Sequence, residues 1–299
     1  MPGRFRQKWK RTLIRAISKV FRAGGKLKPY RVAAHHYNLG TVLFQAMLDP
    51  RMSYTCGYWR DASDLNQAQE AKMDLICRKL PLDEGMRILD IGCGWGGFLR
   101  FAAEKYKIRG MGIALSPEQI RYAQDSCRGL PLEFRVQDFR DLAEKFDHVV
   151  SMGMMEHVCA PYYRSYMEAA HRCLKDGGLF LLHTVGGNLR GERVVWMRRY
   201  IFPAFELPVI QQVADASAGL FIIEDWHNFG ADYDKTLMAW HENFERNWGR
   251  LRKSYDEVFH RMWRFYLLSA AAAFRSRANQ LWQVVFSQGG VPGGYVSIR

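Results

Sequence analysis

The stretch LDIGCGWGG, Leu89 to Gly97, joins an apolar strand, a tight glycine turn and the start of a helix. Ile88, Leu89 and Ile91 read as a short buried strand. Asp90 stands where a carboxylate can address a ligand above the sheet edge. Gly92, Gly94 and Gly96 let the backbone turn sharply and approach a cofactor closely, because no Cβ stands in the way. A bare run of alternating glycines is common in buried turns, so this one gains its weight from the strand before it and the helix after it.

Working outward, short apolar runs alternate with helical stretches from residue 86 onward, the pattern of a parallel doubly wound α/β sheet. Strands are expected at 87–92, 109–115, 132–137, 146–152, 178–185, 220–226 and 280–287. With seven strands and D-x-G-x-G-x-G after the first, the chain resembles the class I S-adenosylmethionine (SAM) methyltransferases, a Rossmann-like fold. Ligands in such sheets lie beyond the carboxyl ends of the strands. The residues there are Asp90, Ser116 with Gln119, Gln137 with Asp138, Glu156 with His157, and His183. After the second strand a ribose-holding carboxylate is missing: GMGIALSPEQ offers only Glu118, one turn on, so Ser116 and Gln119 are the alternatives. VQDF, Val136 to Phe139, supplies an amide, a carboxylate and a ring that suit an adenine edge and face, and Asp138 equally suits a helix cap near Leu142.

The chain has 299 residues, 48% of them hydrophobic, enough for one large core. Its +13 charge is almost wholly N-terminal: residues 1 to 31 carry eleven Lys or Arg and no acid. In the same segment Phe5, Trp9, Leu13, Ile17 and Phe21 recur at i+4, which predicts a basic amphipathic helix over 1–29 able to lie on an anionic membrane. Nucleic acid fits the charge but not the apolar stripe, so no nucleic-acid partner is expected. Six cysteines show neither C-x-x-C nor zinc spacing, which predicts reduced thiols and no metal. No run of eighteen apolar residues exists, and a cytoplasmic protein held peripherally at the inner face of the membrane is expected. Residues 30–299 read as the catalytic domain. Within it 186–219 and 231–277, rich in Trp and Phe, are expected to form an apolar cover over the sheet edge.

YTCGYW at 54, LDIGCGWGG at 89, SMGMMEHV at 151, LLHTVG at 181, YIFPAFELP at 200, EDWHNFGADYDKTLMAW at 224 and AFRSRANQLWQVVFSQG at 273 together resemble the cyclopropane-fatty-acyl-phospholipid synthases. Bacterial members often carry a further N-terminal domain before the HHYNLG stretch, where here a basic segment of about thirty residues precedes it. The resemblance implies methyl transfer from SAM to a cis double bond of a membrane phospholipid acyl chain, followed by ring closure. A homodimer is compatible with it.

An isolated alkene is a weak nucleophile, so the sulfonium must be held in line with it. The carbocation that follows must be shielded from water and must lose a proton to one placed base. The resemblance implies that this base is bound bicarbonate, held by Cys56 (largely through its backbone), Glu156, His183 and Tyr233. It implies that Tyr54 and Thr55 meet the carboxylate end of SAM while Gly92, Gly94, Gln119 and Gln137 line its pocket. Taken singly, each residue also suits a plainer role: Glu156 a helix cap, His183 a core histidine, Tyr233 a helix-start residue, Cys56 an inert thiol. Two rivals share motifs with this reading: a small-amine or phenol methyltransferase, and a non-catalytic lipid-binding relative. Methyl-branched and methylene products share the first transfer step with the ring.

Overall fold

Adjacent apolar residues such as Ile88 and Leu89, Val149 and Val150, or Val284 and Val285 point to opposite sides of one sheet and enter two separate cores. Burial on both faces is why these strands read as unbroken apolar runs. The computed structural model describes residues 39–190, 195–203 and 205–299; the basic segment 1–29, with its expected membrane helix, lies outside the described residues.

Strands β1 (Arg87–Ile91), β2 (Arg109–Ala114), β3 (Leu132–Val136), β4 (Phe146–Met152), β5 (Leu174–Gly187), β6 (Ile222–Asn228) and β7 (Asn279–Ser287) form one sheet in the order β3-β2-β1-β4-β5-β7-β6. The first five pair in parallel. The expected all-parallel sheet needs correcting at its last strand, because β7 runs antiparallel between β5 and β6. The cause is the route of the chain. β6 leaves at the carboxyl edge into two long helices, α8 (Ala231–Leu251) and α9 (Glu257–Arg275), which pack on each other and return the chain to that same edge.

One face of the sheet carries α2 (Leu65–Lys79), α3 (Gly97–Tyr106) and α4 (Pro117–Ser126), through Met73, Ile76, Phe98, Leu99 and Ile120. The other carries α5 (Tyr163–Cys173) and α7 (Ile210–Ser217), through Tyr166, Met167 and Val213. A third cluster, built by α1 (Thr41–Met47), α8 and α9 with α6 (Val195–Tyr200) against it, covers the carboxyl edge with Phe44, Trp240, Phe244 and Trp263. The cover expected from 186–219 is smaller than anticipated. Trp196, Met197, Ile201 and Phe202 join it, but Val213 and Ala216 return to the sheet face.

Candidate active site

Three loops meet under the cover. At Gly94, φ +54, a Cβ would meet nothing within 4 Å, so the turn after β1 opens onto space there. Gly97 is the opposite case: its Cβ would sit 2.1 Å from the Arg51 carbonyl oxygen, so this glycine exists to let the segment before Tyr54 pass. Gly153, after β4, lies against the Thr55 methyl, where a Cβ would come within 3.1 Å. The loops holding Thr55, Gly94 and Gly153 are thereby assembled at the edge where ligands of such sheets bind. A shallow pocket of about 310 Å³ lined by Arg87, Arg109 and Glu133 is at the amino ends of β1 to β3, the wrong edge for that purpose.

Glu156 sits in a 3-10 turn, Met155–His157, straight after this loop and is 3% exposed. Its Oε1 accepts the Val185 N–H at 2.6 Å, while Oε2 is buried with no hydrogen-bond partner among the described residues. Burial pushes its pKa up to about 7 against the opposing pull of the Val185 and Glu156 N–H groups and the Thr184 hydroxyl. His183, two residues before Val185 on β5, is 1% exposed. Gln283 Nε2 lies 3.4 Å from the His183 Nδ1, and His183 Nε2 has no partner among the described residues. Burial, with Lys72 and Lys79 nearby, drives its pKa well below the usual range, so the ring is neutral.

The His183 ring meets Phe229 edge-on at 5.9 Å, and Phe229 also meets Tyr58 at 5.3 Å. These contacts carry β5 toward both the Cys56 loop and the start of α8. That loop is tied down by α8 directly: Gly57 N–H donates to Thr236 Oγ1 at 3.0 Å and Trp59 N–H to Asp232 Oδ2 at 2.8 Å. Cys56 is fully buried, and burial with Asp232 close by raises its thiol pKa well above normal, so the thiol stays protonated. Tyr233, between those two anchors on α8, packs its ring 4.5 Å from Phe274 and 5.9 Å from Trp240. Cys56, Glu156, His183 and Tyr233 thus come from four separate segments to one edge of the sheet, beneath an aromatic roof.

The residues read as cofactor-binding divide. Asp90 is fully buried with both carboxylate oxygens unpartnered among the described residues, and burial lifts its pKa to about 7 against the attraction of Lys72. Thr55 is held at both ends from α2, its carbonyl by the Gln69 amide at 2.8 Å and its Oγ1 by the Lys72 ammonium at 3.1 Å. Tyr54 Oη lies 2.8 Å from Tyr266 Oη of the cover. Ser116 caps α4 by accepting the Gln119 N–H at 3.3 Å, and both residues are buried. Gln137 stands at the end of β3, its N–H bonded to the Ala114 carbonyl at 3.2 Å. Glu118 is used elsewhere: Thr41 N–H and Oγ1 donate to it at 2.9 and 2.5 Å and tie α1 to the first turn of α4. Asp138 and Phe139 also make contacts within the fold. Asp138 caps the turn Phe139–Asp141 and pairs with Arg140 at 2.6 Å, while the Phe139 ring packs in the core 5.5 Å from Tyr166.

Lys72, Gln69, Gln283 and Phe229 escaped the sequence reading. A signal existed for two of them: Leu65, Ala68, Gln69, Lys72, Met73, Ile76 and Lys79 lie at helical spacing on the buried side of α2, so its apolar stripe carries polar groups that need partners. Asp90 Oδ1 and Oδ2, Glu156 Oε2 and His183 Nε2, among the buried polar atoms without a partner in the described residues, leave acceptors and a ring nitrogen free for a polar ligand near the open glycine turn.

Comparison with known proteins identifies the family and the fold. The sequence profile of the family described as mycolic acid cyclopropane synthetase matches residues 25–284. The cyclopropane-fatty-acyl-phospholipid synthase of Escherichia coli is 48% identical over 282 residues, covering 94% of this chain and 74% of that protein. Among solved structures, the cyclopropane synthase MmaA2 from Mycobacterium tuberculosis superposes with a TM-score of 0.83 at 28% identity, over 87% of this chain and 98% of that one. The mycolic acid cyclopropane synthase CmaA1, complexed with SAH and CTAB, gives 0.82 at 31% identity, over 88% and 99%. The fold is that of the class I SAM methyltransferases, and the chain belongs to the mycolic acid cyclopropane synthetase family.

Proposed function

We propose that this protein transfers a methyl group from SAM to the cis double bond of an unsaturated phospholipid acyl chain and closes it to a cyclopropane, with bound bicarbonate taking the proton. The observation that carries this reading is the pair of buried, unpartnered atoms Glu156 Oε2 and His183 Nε2 at the sheet edge beneath the aromatic cover. SAM supplies an electrophilic methyl and bicarbonate a base. The chain's own groups do the rest. His183 donates to the anion through Nε2, Tyr233 supplies a second hydroxyl donor, and ionised Glu156 accepts from the anion's hydroxyl and orients it. Cys56 contributes through its backbone, since its thiol stays protonated. Trp240, Phe244, Trp263 and Phe274 keep water from a carbocation and offer it ring faces. Asp90, Gly92, Gly94, Gly96, Gln119 and Gln137 form the SAM pocket, with Tyr54 and Thr55 at its carboxylate end.

The acyl chain enters from a membrane surface. No helix among the described residues is long and apolar enough to cross a membrane. Docking instead uses the basic segment 1–28 together with the outer rim of the cover. There Val195, Tyr200 and Phe265 are exposed, Trp196 meets Phe265 edge-on at 4.6 Å, and Arg198 and Arg199 flank them. The test is expression in a bacterial host that lacks cyclopropane lipids, followed by mass spectrometry of its membranes. Monounsaturated phospholipids should gain one CH2 and resist hydrogenation, whereas unchanged unsaturated lipids beside a methylated soluble amine would end this reading.

A further inference from the structure

Lys72 is a buried lysine at this edge that the proposed chemistry does not use. It lies on α2, is 1% exposed, and is surrounded by the charges of Asp49 and Asp90 and by the Cys56 thiol. Burial lowers its pKa to about 8 while the Asp49 and Asp90 carboxylates pull the other way, so the ammonium persists at neutral pH. Asp49 has other partners, the N–H groups of Arg51 and Ser53 at 3.0 and 2.8 Å. Lys72 Nζ reaches Thr55 Oγ1 at 3.1 Å.

The chemistry of that contact has a direction. An ammonium only donates, so Thr55 Oγ1 is the acceptor and its own proton must be directed to another group. With the Thr55 carbonyl fixed by Gln69 and its methyl against Gly153, the residue has little freedom to turn away. Lys72 therefore turns Thr55 into an obligate donor and places a buried positive charge behind it. Both features favour an anionic ligand group, and they offset the negative charge of Asp90. Resting on the proposed SAM site, we infer that Lys72 is a positioning residue for the carboxylate end of the cofactor, acting through the Thr55 hydroxyl.

The experiment uses the full chain and two ligands that share the adenosine and thioether: S-adenosylhomocysteine, which has the amino-acid end, and 5′-methylthioadenosine, which lacks it. Calorimetric titration of Lys72→Met should show S-adenosylhomocysteine binding weakened by about 10- to 100-fold, the range of a lost charge-assisted hydrogen bond, with methylthioadenosine held within about twofold. Thr55→Val should reproduce that contrast, and the double variant should be little worse than Lys72→Met alone, because the two act in series. Should Lys72→Met fail to fold, Thr55→Val carries the same ligand contrast. Equal weakening of both ligands, or of neither, would overturn the inference. Failure of the unaltered protein to bind either ligand would instead overturn the SAM reading beneath it.

Discussion

Glu156→Gln separates what the site needs from what the fold needs. Burial holds the Glu156 carboxyl at about 7, against a model-compound value of 4.5. A folded-state pKa raised in this way favours folding at low pH, and that contribution is lost as pH rises through the folded value. The side chain is 3% exposed, so solvent screening takes little away. Between about pH 5 and pH 8.5 the ionised carboxylate should cost the native state about 2–3 kcal/mol that a neutral glutamine does not. Asp90 titrates in the same window but is common to both proteins and cancels in the difference. Urea denaturation of both proteins at several pH values measures it. The stability of Glu156→Gln relative to the parent should rise by that amount across the range, while methyl transfer falls by roughly 100-fold and is partly restored by added bicarbonate. A stability difference that is flat with pH would refute the buried-carboxylate reasoning, and full activity of the variant in carbonate-depleted buffer would refute the assignment of Glu156.

Three further outcomes follow from other contacts. Gly94→Ala, which adds a methyl at φ +54 facing open space, should cost about 1 kcal/mol of stability yet abolish calorimetric binding of S-adenosylhomocysteine, whereas Gly97→Ala, aimed 2.1 Å from a backbone oxygen, should unfold the protein. The fully buried Lys79 pairs with Asp225 at 3.3 Å, and burial of Asp225 is outweighed by Arg299, Ser297 and Lys79, which bring its pKa to about 2. Asp225→Asn should therefore cost about 3 kcal/mol or more in chemical denaturation by stranding the lysine, whereas Arg299→Ala, which removes the half-exposed partner and leaves Asp225 with Lys79 and Ser297, should cost less. Deleting residues 1–28 should remove most co-sedimentation with anionic vesicles without changing S-adenosylhomocysteine affinity, and binding of the full chain should weaken as salt shortens the screening length to about 8 Å. Equal pelleting of both proteins at every salt concentration would transfer the docking role to the rim around Phe265.

Strand positions were legible because a strand buried on both faces is mostly apolar, and runs such as LFLL at 179–182 and VVF at 284–286 have few other uses. The direction of β7 was not, since an apolar run has the same period whichever way it is crossed. Glycine spacing at 92–97 marked the turn, but that Gly94 faces space while Gly97 faces the Arg51 carbonyl depends on a segment some forty residues earlier. Phe139 illustrates a local ambiguity: a ring after a strand suits a ligand face and a core equally well, and its edge contact with Tyr166 depends on a helix some twenty-five residues later. Lys79, Asp225 and Arg299 are far apart in sequence and pair only through the tertiary fold, so nothing local announced them.

The central claim, methyl transfer to an alkene with loss of a proton from the new methyl, is tested most directly by the fate of the methyl hydrogens. The purified protein is given SAM with a fully deuterated methyl group, vesicles of a cis-monounsaturated phospholipid, and bicarbonate. The lipid should gain CD2 at the former double bond, one deuteron passing to solvent, and the product should resist hydrogenation. Recovery of the lipid unlabelled, or with an intact CD3 group, would contradict the account.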